Sequence, residues 1–198
     1  MSTNGVVAFQ IDNKLKTIYN HYDSYPDNLG NNVLDFIRRY DIEELKVHTK
    51  QMINKRNTLT TFYDFDVFIS HSDEDIFYYE DATSFMERSL FCEWAYIINL
   101  DTYELEIYKG YNKEKPVGRF RDVESVDDYY PVSLIRIYNL LELPSKMPTK
   151  NLDVGYEDMK LELENKMLES LQEAAEKRKM SVDSLIVEII QDEITDCL

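Results

Sequence analysis

The chain has 198 residues, of which 43% are hydrophobic, and it carries 38 acidic against 22 basic residues, a net charge of −16. That length and apolar content suit one medium domain, or one domain with a small appendage, and exclude a chain that is disordered throughout. Phosphate backbones repel so acidic a protein, so the composition disfavours ordinary nucleic-acid binding and favours partners with basic surfaces.

The compartment is predicted from what the sequence lacks. No stretch approaches the roughly 20 apolar residues of a membrane helix, and the first residues do not resemble a signal peptide. The two cysteines, Cys92 and Cys197, are far apart in the chain. A disulfide is therefore not expected and a reducing compartment fits. We expect a cytoplasmic protein, in the host cell's cytoplasm if a phage encodes it.

The first predicted element is a hairpin. Val7, Phe9 and Ile11 alternate with small or polar residues, Asp12-Asn13 turns the chain, and residues 15–22 return.

Two helices are predicted next. The first begins near Asn32, and the second follows Asp41, which has Glu44 three residues on, as in a capping box. Residues 60–80 are aromatic and acidic, and we interpret them as two short strands around the sequence SHSDED.

The later part of the first domain is predicted to hold a hairpin and a helix. Residues 92–112 alternate in strand fashion about an Asp101-Thr102 turn, and residues 131–143 are predicted to be a helix with Pro131 in its first turn. Residues 144–155 contain two prolines and a glycine and are predicted to be a linker. Residues 1–143 are thus expected to form an α+β domain of antiparallel hairpins packed with helices.

Residues 156–198 change in composition and are expected to form a separate unit. A short strand of alternating residues precedes two amphipathic helices, the second with Ser181 at its N-cap. A strand and two short helices bury too little alone, so we expect this unit to dimerise. The predicted dimer contacts are Met159, Leu161, Leu163, Leu171, Leu185, Ile186, Ile189 and Ile190.

This order of elements resembles the ribbon-helix-helix family over about the last 40 residues. The resemblance implies dimers that pair their strands into an antiparallel ribbon, and in many members a ribbon that binds DNA. Here the outward ribbon residues would be Lys160, Glu162 and Glu164, and residues 156–198 hold twelve acidic against five basic residues. We therefore expect dimerisation, and not direct DNA binding, from this unit. A plain helical hairpin with a solvated acidic face is the alternative.

The candidate ligand-binding residues are His21, Asp23 and Tyr25, in the stretch IYNHYDSYPDNLG. Residues i and i+2 of a strand share a face, so His21 and Asp23 could converge on a metal or act in acid–base chemistry. A hydrogen-bonded histidine at a strand end is the alternative. No third metal ligand has diagnostic spacing, and no motif for a cofactor, a phosphate loop or a catalytic nucleophile is present, so no cofactor, metal or catalytic residue is predicted.

Three segments together resemble a group of small uncharacterised bacteriophage proteins: MSTNGVVAFQI, IYNHYDSYPDNLG and EWAYIINLDTYELEIYKGY. The resemblance spans roughly residues 1–112 and implies a phage origin but no activity. Ser24 stands where the group usually has glycine.

Three functions remain open. The favoured one is a non-catalytic, phage-encoded, acidic homodimer that binds and inhibits a host factor with a basic surface, in an anti-defence or host-takeover role that could mimic nucleic acid. The second is a small enzyme with a site around His21 and Asp23. The third is a DNA-binding regulator that acts through residues 156–198.

Overall fold

The computed structural model describes residues 3–71, 75–148, 168, 171–178 and 182. The chain divides into two compact units, residues 1–153 and residues 154–198. The first unit is a mixed α+β structure, which confirms the α+β class predicted for it. Its strands are β1 (Gly5–Ile11), β2 (Lys14–Asn20), β3 (Met52–Asn54), β4 (Phe77–Tyr79), β5 (Trp94–Asn99), β6 (Glu104–Lys109) and β7 (Ser133–Asn139), and its helices are α1 (Asn31–Arg39), α2 (Ile42–Gln51) and α3 (Phe62–His71).

The main sheet has five strands in the order β2-β1-β5-β6-β7. Both predicted hairpins are present, as β1–β2 and β5–β6. Asp12 and Asn13 have φ of 51° and 58°, the left-handed pair that a tight two-residue hairpin turn requires. The hairpins join through a parallel pairing of β1 with β5, which places β2 and β7 at opposite edges of the sheet.

One face of the sheet packs against an aromatic core. Phe9 of β1 lies with its ring centroid 4.9 Å from that of Phe65 in α3 and 5.8 Å from that of Phe36 in α1. All three side chains are fully buried. Aromatic rings bury a large apolar area and add edge-to-face attraction, so this face anchors the helices to the sheet.

The second helix is held at both ends by side chains. The carboxylate of Asp41 accepts the N–H of Glu43 at 2.8 Å, so Asp41 is the N-cap as predicted. At the other end, the ammonium of Lys16 donates to the carbonyls of Thr49 and Met52 at 2.7 Å each. A cation at a helix C-terminus satisfies carbonyls that have no partner within the helix.

The prediction of a strand before SHSDED is wrong, because residues 62–71 form α3. Thr61 and Asp64 exchange hydrogen bonds that cap the helix, at 2.7 and 3.2 Å. Phe62, Phe65 and Ile69 are all buried, at a helical spacing. The strand predicted after SHSDED is confirmed as β4, which pairs with β3 in parallel.

The predicted helix at residues 131–143 is also wrong, since β7 occupies Ser133–Asn139. This segment pairs antiparallel with β6 and extends the sheet by one strand. The β-branched residues Ile135 and Ile137 suit a strand, and the open edge of β6 supplied hydrogen-bond partners that a sequence pattern does not show.

Loops and a short 3₁₀ helix, Thr83–Glu87, cover the other face of the sheet. Met86, Cys92 and Val132 are fully buried there, beside Ala8 of β1. This second core is smaller and more polar than the aromatic one.

The first unit continues past residue 143, where the sequence places its end. Met147 is buried, and its N–H donates to the side-chain carbonyl of Asn31 at 2.8 Å. Part of the predicted linker therefore packs on α1.

The described part of the second unit contains a helix at residues 171–178. Ala175 is buried there, and Leu171 is partly exposed. The predicted ribbon strand and the other predicted dimer contacts lie outside the described residues: Met159, Leu161, Leu163, Leu185, Ile186, Ile189 and Ile190.

Among the residues that the structure describes, no helix is both long enough and apolar enough to cross a membrane.

Candidate functional site

His21 follows the end of β2 and is exposed. Its Nδ1 lies 2.9 Å from the hydroxyl of Tyr19, and its ring packs edge-on against Tyr22 at 4.2 Å between centroids. The structure therefore places His21 among tyrosines.

Asp23 and Tyr25 shape the turn between β2 and α1. Asp23 has φ of 50°, and its carbonyl accepts the N–H of Leu29 at 3.3 Å. The carbonyl of Tyr25 accepts two further backbone N–H groups, and 41% of Tyr25 is exposed. Within the described part of the chain, the carboxylate of Asp23 makes no hydrogen bond or ion pair, so the structure does not join it to His21.

Between these two residues, Ser24 is fully buried. Its carbonyl accepts the hydroxyl of Tyr96 at 2.9 Å, and its Oγ accepts the side-chain amide of Asn20 at 2.8 Å. The stretch is thus fastened to the sheet at Ser24, while His21, Asp23 and Tyr25 face solvent around it.

A cavity of about 390 Å³ lies beside Tyr19, at the edge of the sheet that β2 forms. Its volume is within the range of small-ligand sites. We call it the acidic pocket. It is lined by Tyr19, Leu59, Glu80, Asp81, Ala82 and Phe85, with the two threonines that flank Leu59.

The walls of the acidic pocket come from three segments that are distant in sequence. Asp81 joins two of them, because its carboxylate accepts the backbone N–H of Thr17 at 3.1 Å and that of Thr83 at 3.2 Å. The carbonyl of Thr17 in turn accepts the N–H of Ala82 at 3.0 Å. These bonds use the open edge of β2, so the pocket is fixed to the sheet.

Both carboxylates of the acidic pocket lack a cationic partner among the described residues. Glu80 is exposed and accepts one bond, from the N–H of Asn57 at 3.0 Å. Asp81 is partly exposed and bonds only to backbone and threonine groups. The pocket therefore carries two negative charges that no Lys or Arg of the described chain neutralises.

Apolar surface faces these charges. Leu59 is completely exposed. The ring of Tyr19 meets that of Phe85 edge-on at 5.0 Å between centroids. Burial, followed by the nearby Cys92 and Tyr22, raises the pKa of Tyr19, so its hydroxyl stays protonated and can bond to His21.

A larger cavity of about 650 Å³ lies between α1 and α3, and we call it the mixed-charge cleft. Arg39 pairs with Asp66 at 2.7 Å, and Arg38 pairs with Asp35 at 3.0 Å. Each arginine that lines the cleft already has an aspartate, and the cleft has no net charge to select a ligand.

Three tyrosines near the start of β5 form a second exposed aromatic region, Tyr25, Tyr111 and Tyr129, which we call the tyrosine cluster. Glu93, burial, and the neighbouring phenols of Tyr129 and Tyr25 raise the pKa of Tyr111, in that order of importance. The ammonium of Lys113 lies 3.5 Å from the ring centroid of Tyr129. A cation of the chain thus lies over one ring of the tyrosine cluster.

A buried ionic cluster on the second face of the sheet is structural. Glu106 is 5% exposed and accepts bonds from Arg119, from the hydroxyl of Tyr108 at 2.7 Å and from the amide of Asn99 at 3.1 Å. Burial alone would raise the pKa of Glu106, but the bonds and charge of Arg119, with Tyr108 and Asn99, hold it below its usual value. Every oxygen of this carboxylate is used within the fold.

Cys92 and the metal-ligating residues offer no reactive centre in the described chain. Cys92 is fully buried, and burial raises the pKa of its thiol far above the ordinary range, so it stays protonated and inert. Within residues 3–71 and 75–148 and the described helix, no three His, Cys, Asp or Glu side chains are grouped to hold a metal ion.

The sequence prediction missed the acidic pocket, since none of His21, Asp23 and Tyr25 lines it. Leu59 is a lone apolar residue within the polar run KRNTLTT, and Glu80-Asp81 follows an aromatic strand. This isolated leucine among polar residues was the sequence feature that could have indicated the pocket. Only the fold shows that Leu59, Glu80 and Asp81 line the same cavity as Tyr19.

No protein-family model, no curated protein and no solved structure matches this chain.

Proposed function

We propose that this chain is a non-catalytic, phage-encoded acidic protein that binds and inhibits a host factor through a basic surface of that factor. It acts in the host cytoplasm as a homodimer. Its surface carboxylates occupy the positions at which a nucleic-acid-acting host protein binds phosphates.

One observation carries the proposal: an acidic pocket without a counter-cation, set among exposed aromatic residues. The carboxylates of the mixed-charge cleft pair with Arg38 and Arg39, whereas those of the acidic pocket pair with no Lys or Arg of the described residues. Tyrosine is enriched at binding hot spots, and Tyr22, which is 65% exposed, lies close enough to Tyr19 of the pocket to raise the pKa of that phenol. A basic partner would supply the missing positive charges.

The net charge supports the same direction. Residues 1–153 carry 26 acidic against 17 basic residues, and a dimer doubles the charge. The electric field of so negative a protein speeds its encounter with a basic partner, and this field weakens as the salt concentration rises.

Dimerisation is proposed for residues 156–198, in the ribbon-helix-helix arrangement that the sequence resembles. The acidic composition of this unit favours a dimerisation role over DNA binding. Light scattering on the full chain should give a dimer mass for the wild type and a monomer mass for Leu185→Asp.

The function is tested by capture followed by an activity assay. The immobilised protein is exposed to bacterial lysate, the retained proteins are identified by mass spectrometry, and the activity of each purified candidate is measured with and without the protein. We expect a basic protein whose retention falls steeply between low and high salt and whose activity falls on binding. Retention that does not change with salt, or a retained protein whose activity is unaffected, would contradict the proposal.

A further inference from the structure

We propose that the acidic pocket receives one arginine side chain of the partner. The inference rests on the proposed function and deepens it, because it names the residue type that the surface recognises and the place where it binds.

The charge of the pocket selects a cation. Glu80 and Asp81 are adjacent in sequence, both line the cavity, and neither has a Lys or Arg partner in the described chain. In a protein of net charge −16, an anionic ligand would be repelled at this position.

The apolar walls select a cation with a long stem. Leu59, Ala82 and Phe85 line the same cavity as the carboxylates. An extended side chain can lay its methylene groups on such walls while its charged end meets the carboxylates.

The aromatic walls favour arginine over lysine. A guanidinium is planar, stacks on aromatic faces and offers several donors to carboxylates, whereas an ammonium is a compact, strongly hydrated charge. No Lys or Arg lies over the ring of Tyr19 or Phe85 within the described residues. Cations of the chain do lie over other exposed rings, as Lys55 does over Tyr78 at 4.5 Å.

Small probes test the pocket without the host factor. The full-length protein is labelled with ¹⁵N and titrated with Nα-acetyl-arginine methylamide, with the lysine counterpart and with the neutral citrulline counterpart. We expect saturable shifts of the amides of Leu59, Ala82 and Phe85 with the arginine probe, at a dissociation constant of roughly 1–10 mM. The lysine probe should bind more weakly, and the citrulline probe should give no saturable shift.

Two pairs of variants locate the binding. Glu80→Gln keeps an oxygen that can accept the N–H of Asn57 but removes the charge, and we expect binding to weaken about fivefold or more. Glu142→Gln, an exposed residue after β7 at the opposite edge of the sheet, makes the same change in net charge and should leave binding unchanged. Leu59→Lys places a cation of the chain at the pocket and should also weaken binding, whereas Leu141→Lys, on a leucine that is 74% exposed, should not.

Several results would overturn the inference: no saturable shift with the arginine probe, equal binding of the citrulline probe, equal or tighter binding of the lysine probe, or equal loss in Glu80→Gln and Glu142→Gln. Any of these results together with salt-sensitive capture and inhibition of a basic host protein would remove the arginine pocket and leave the proposed function. Binding of the probe as expected, without any inhibited host protein, would remove the proposed function and leave the pocket.

Discussion

The two faces of the main sheet are built on different principles. The face toward α1 and α3 is filled by aromatic rings, with Phe9, Phe36 and Phe65 fully buried. The other face is covered by loops and holds the buried Glu106, and the acidic pocket with the exposed Glu80 lies at the edge of the sheet that β2 forms. The aromatic face is stabilised by packing and burial, whereas the stability of the polar face depends on whether each charged group has a partner.

Glu106 and Glu80 show what that difference means. Arg119 reaches Glu106 within the fold, so this carboxylate stabilises the protein and has no capacity left for a ligand. Glu80 bonds to a single backbone N–H and keeps its charge at the surface. Charge compensation, and not cavity size, is what distinguishes the two cavities: the carboxylates of the larger mixed-charge cleft are paired within the fold and those of the smaller acidic pocket are not.

The largest effect is expected on the aromatic face. Phe65→Ala removes a fully buried ring and should lower the free energy of unfolding by about 3–5 kcal/mol. Urea denaturation measures this loss. Tyr63→Ala, on the same helix but at a residue that is 71% exposed, should change it by no more than about 0.5 kcal/mol. Equal losses in the two variants would mean that α3 does not pack as described.

The buried ion pair should give the next largest effect. Arg119→Met leaves Glu106 buried without its cation, and breaking a buried pair in this way costs about 3 kcal/mol, at the lower end of the usual range since Arg119 is partly exposed. Equilibrium unfolding in urea measures it. The double variant Glu106→Gln with Arg119→Met removes both charges and should recover part of the loss. A single variant as stable as the wild type would show that the pair contributes nothing.

A smaller effect is expected from acid. The pKa of Glu106 is depressed in the folded protein, so its contribution to stability is present above the pKa of the unfolded chain, near 4.3, and is lost as the pH falls through the lower folded value. Arg119→Met removes the cause of the depression. In this variant burial is left to raise the pKa of Glu106, so protonation relieves the buried charge, and the stability gap to the wild type should narrow as the pH falls from about 7 toward about 4. A gap that stays constant over this range would exclude Glu106 as the titrating group.

The two hairpins could be predicted from the sequence because the residues that specify each hairpin are neighbours in the chain. The Asp12-Asn13 turn and the alternation of Val7, Phe9 and Ile11 lie within a few residues of one another. Their parallel junction through β1 and β5 is not local, and neither is the edge of β6 that makes residues 133–139 a strand. The aromatic residues of α3 did not distinguish a helix from a strand, because buried aromatic residues occur both along one side of a helix and on one face of a strand.

The sequence did not predict the acidic pocket, because the residues that line it are distant from one another in the chain. His21 was singled out by its neighbours in the chain, and the structure gives it Tyr19 as a partner. The pocket on the other side of Tyr19 needs Leu59 and Glu80, which are about 40 and 60 residues away. Sequence spacing carries no signal for such a meeting, so the pocket could come only from the fold.

The most direct test of the account measures inhibition of the captured host protein by the wild type, Leu59→Lys and Leu141→Lys at low and at high salt. All three chains should be equally stable, because both leucines are exposed. We predict that the wild type and Leu141→Lys inhibit at low salt and lose potency at high salt, and that Leu59→Lys is about tenfold weaker at low salt. Inhibition that is equal in the three proteins and unchanged by salt would contradict the claim that an unpaired acidic surface recognises the partner.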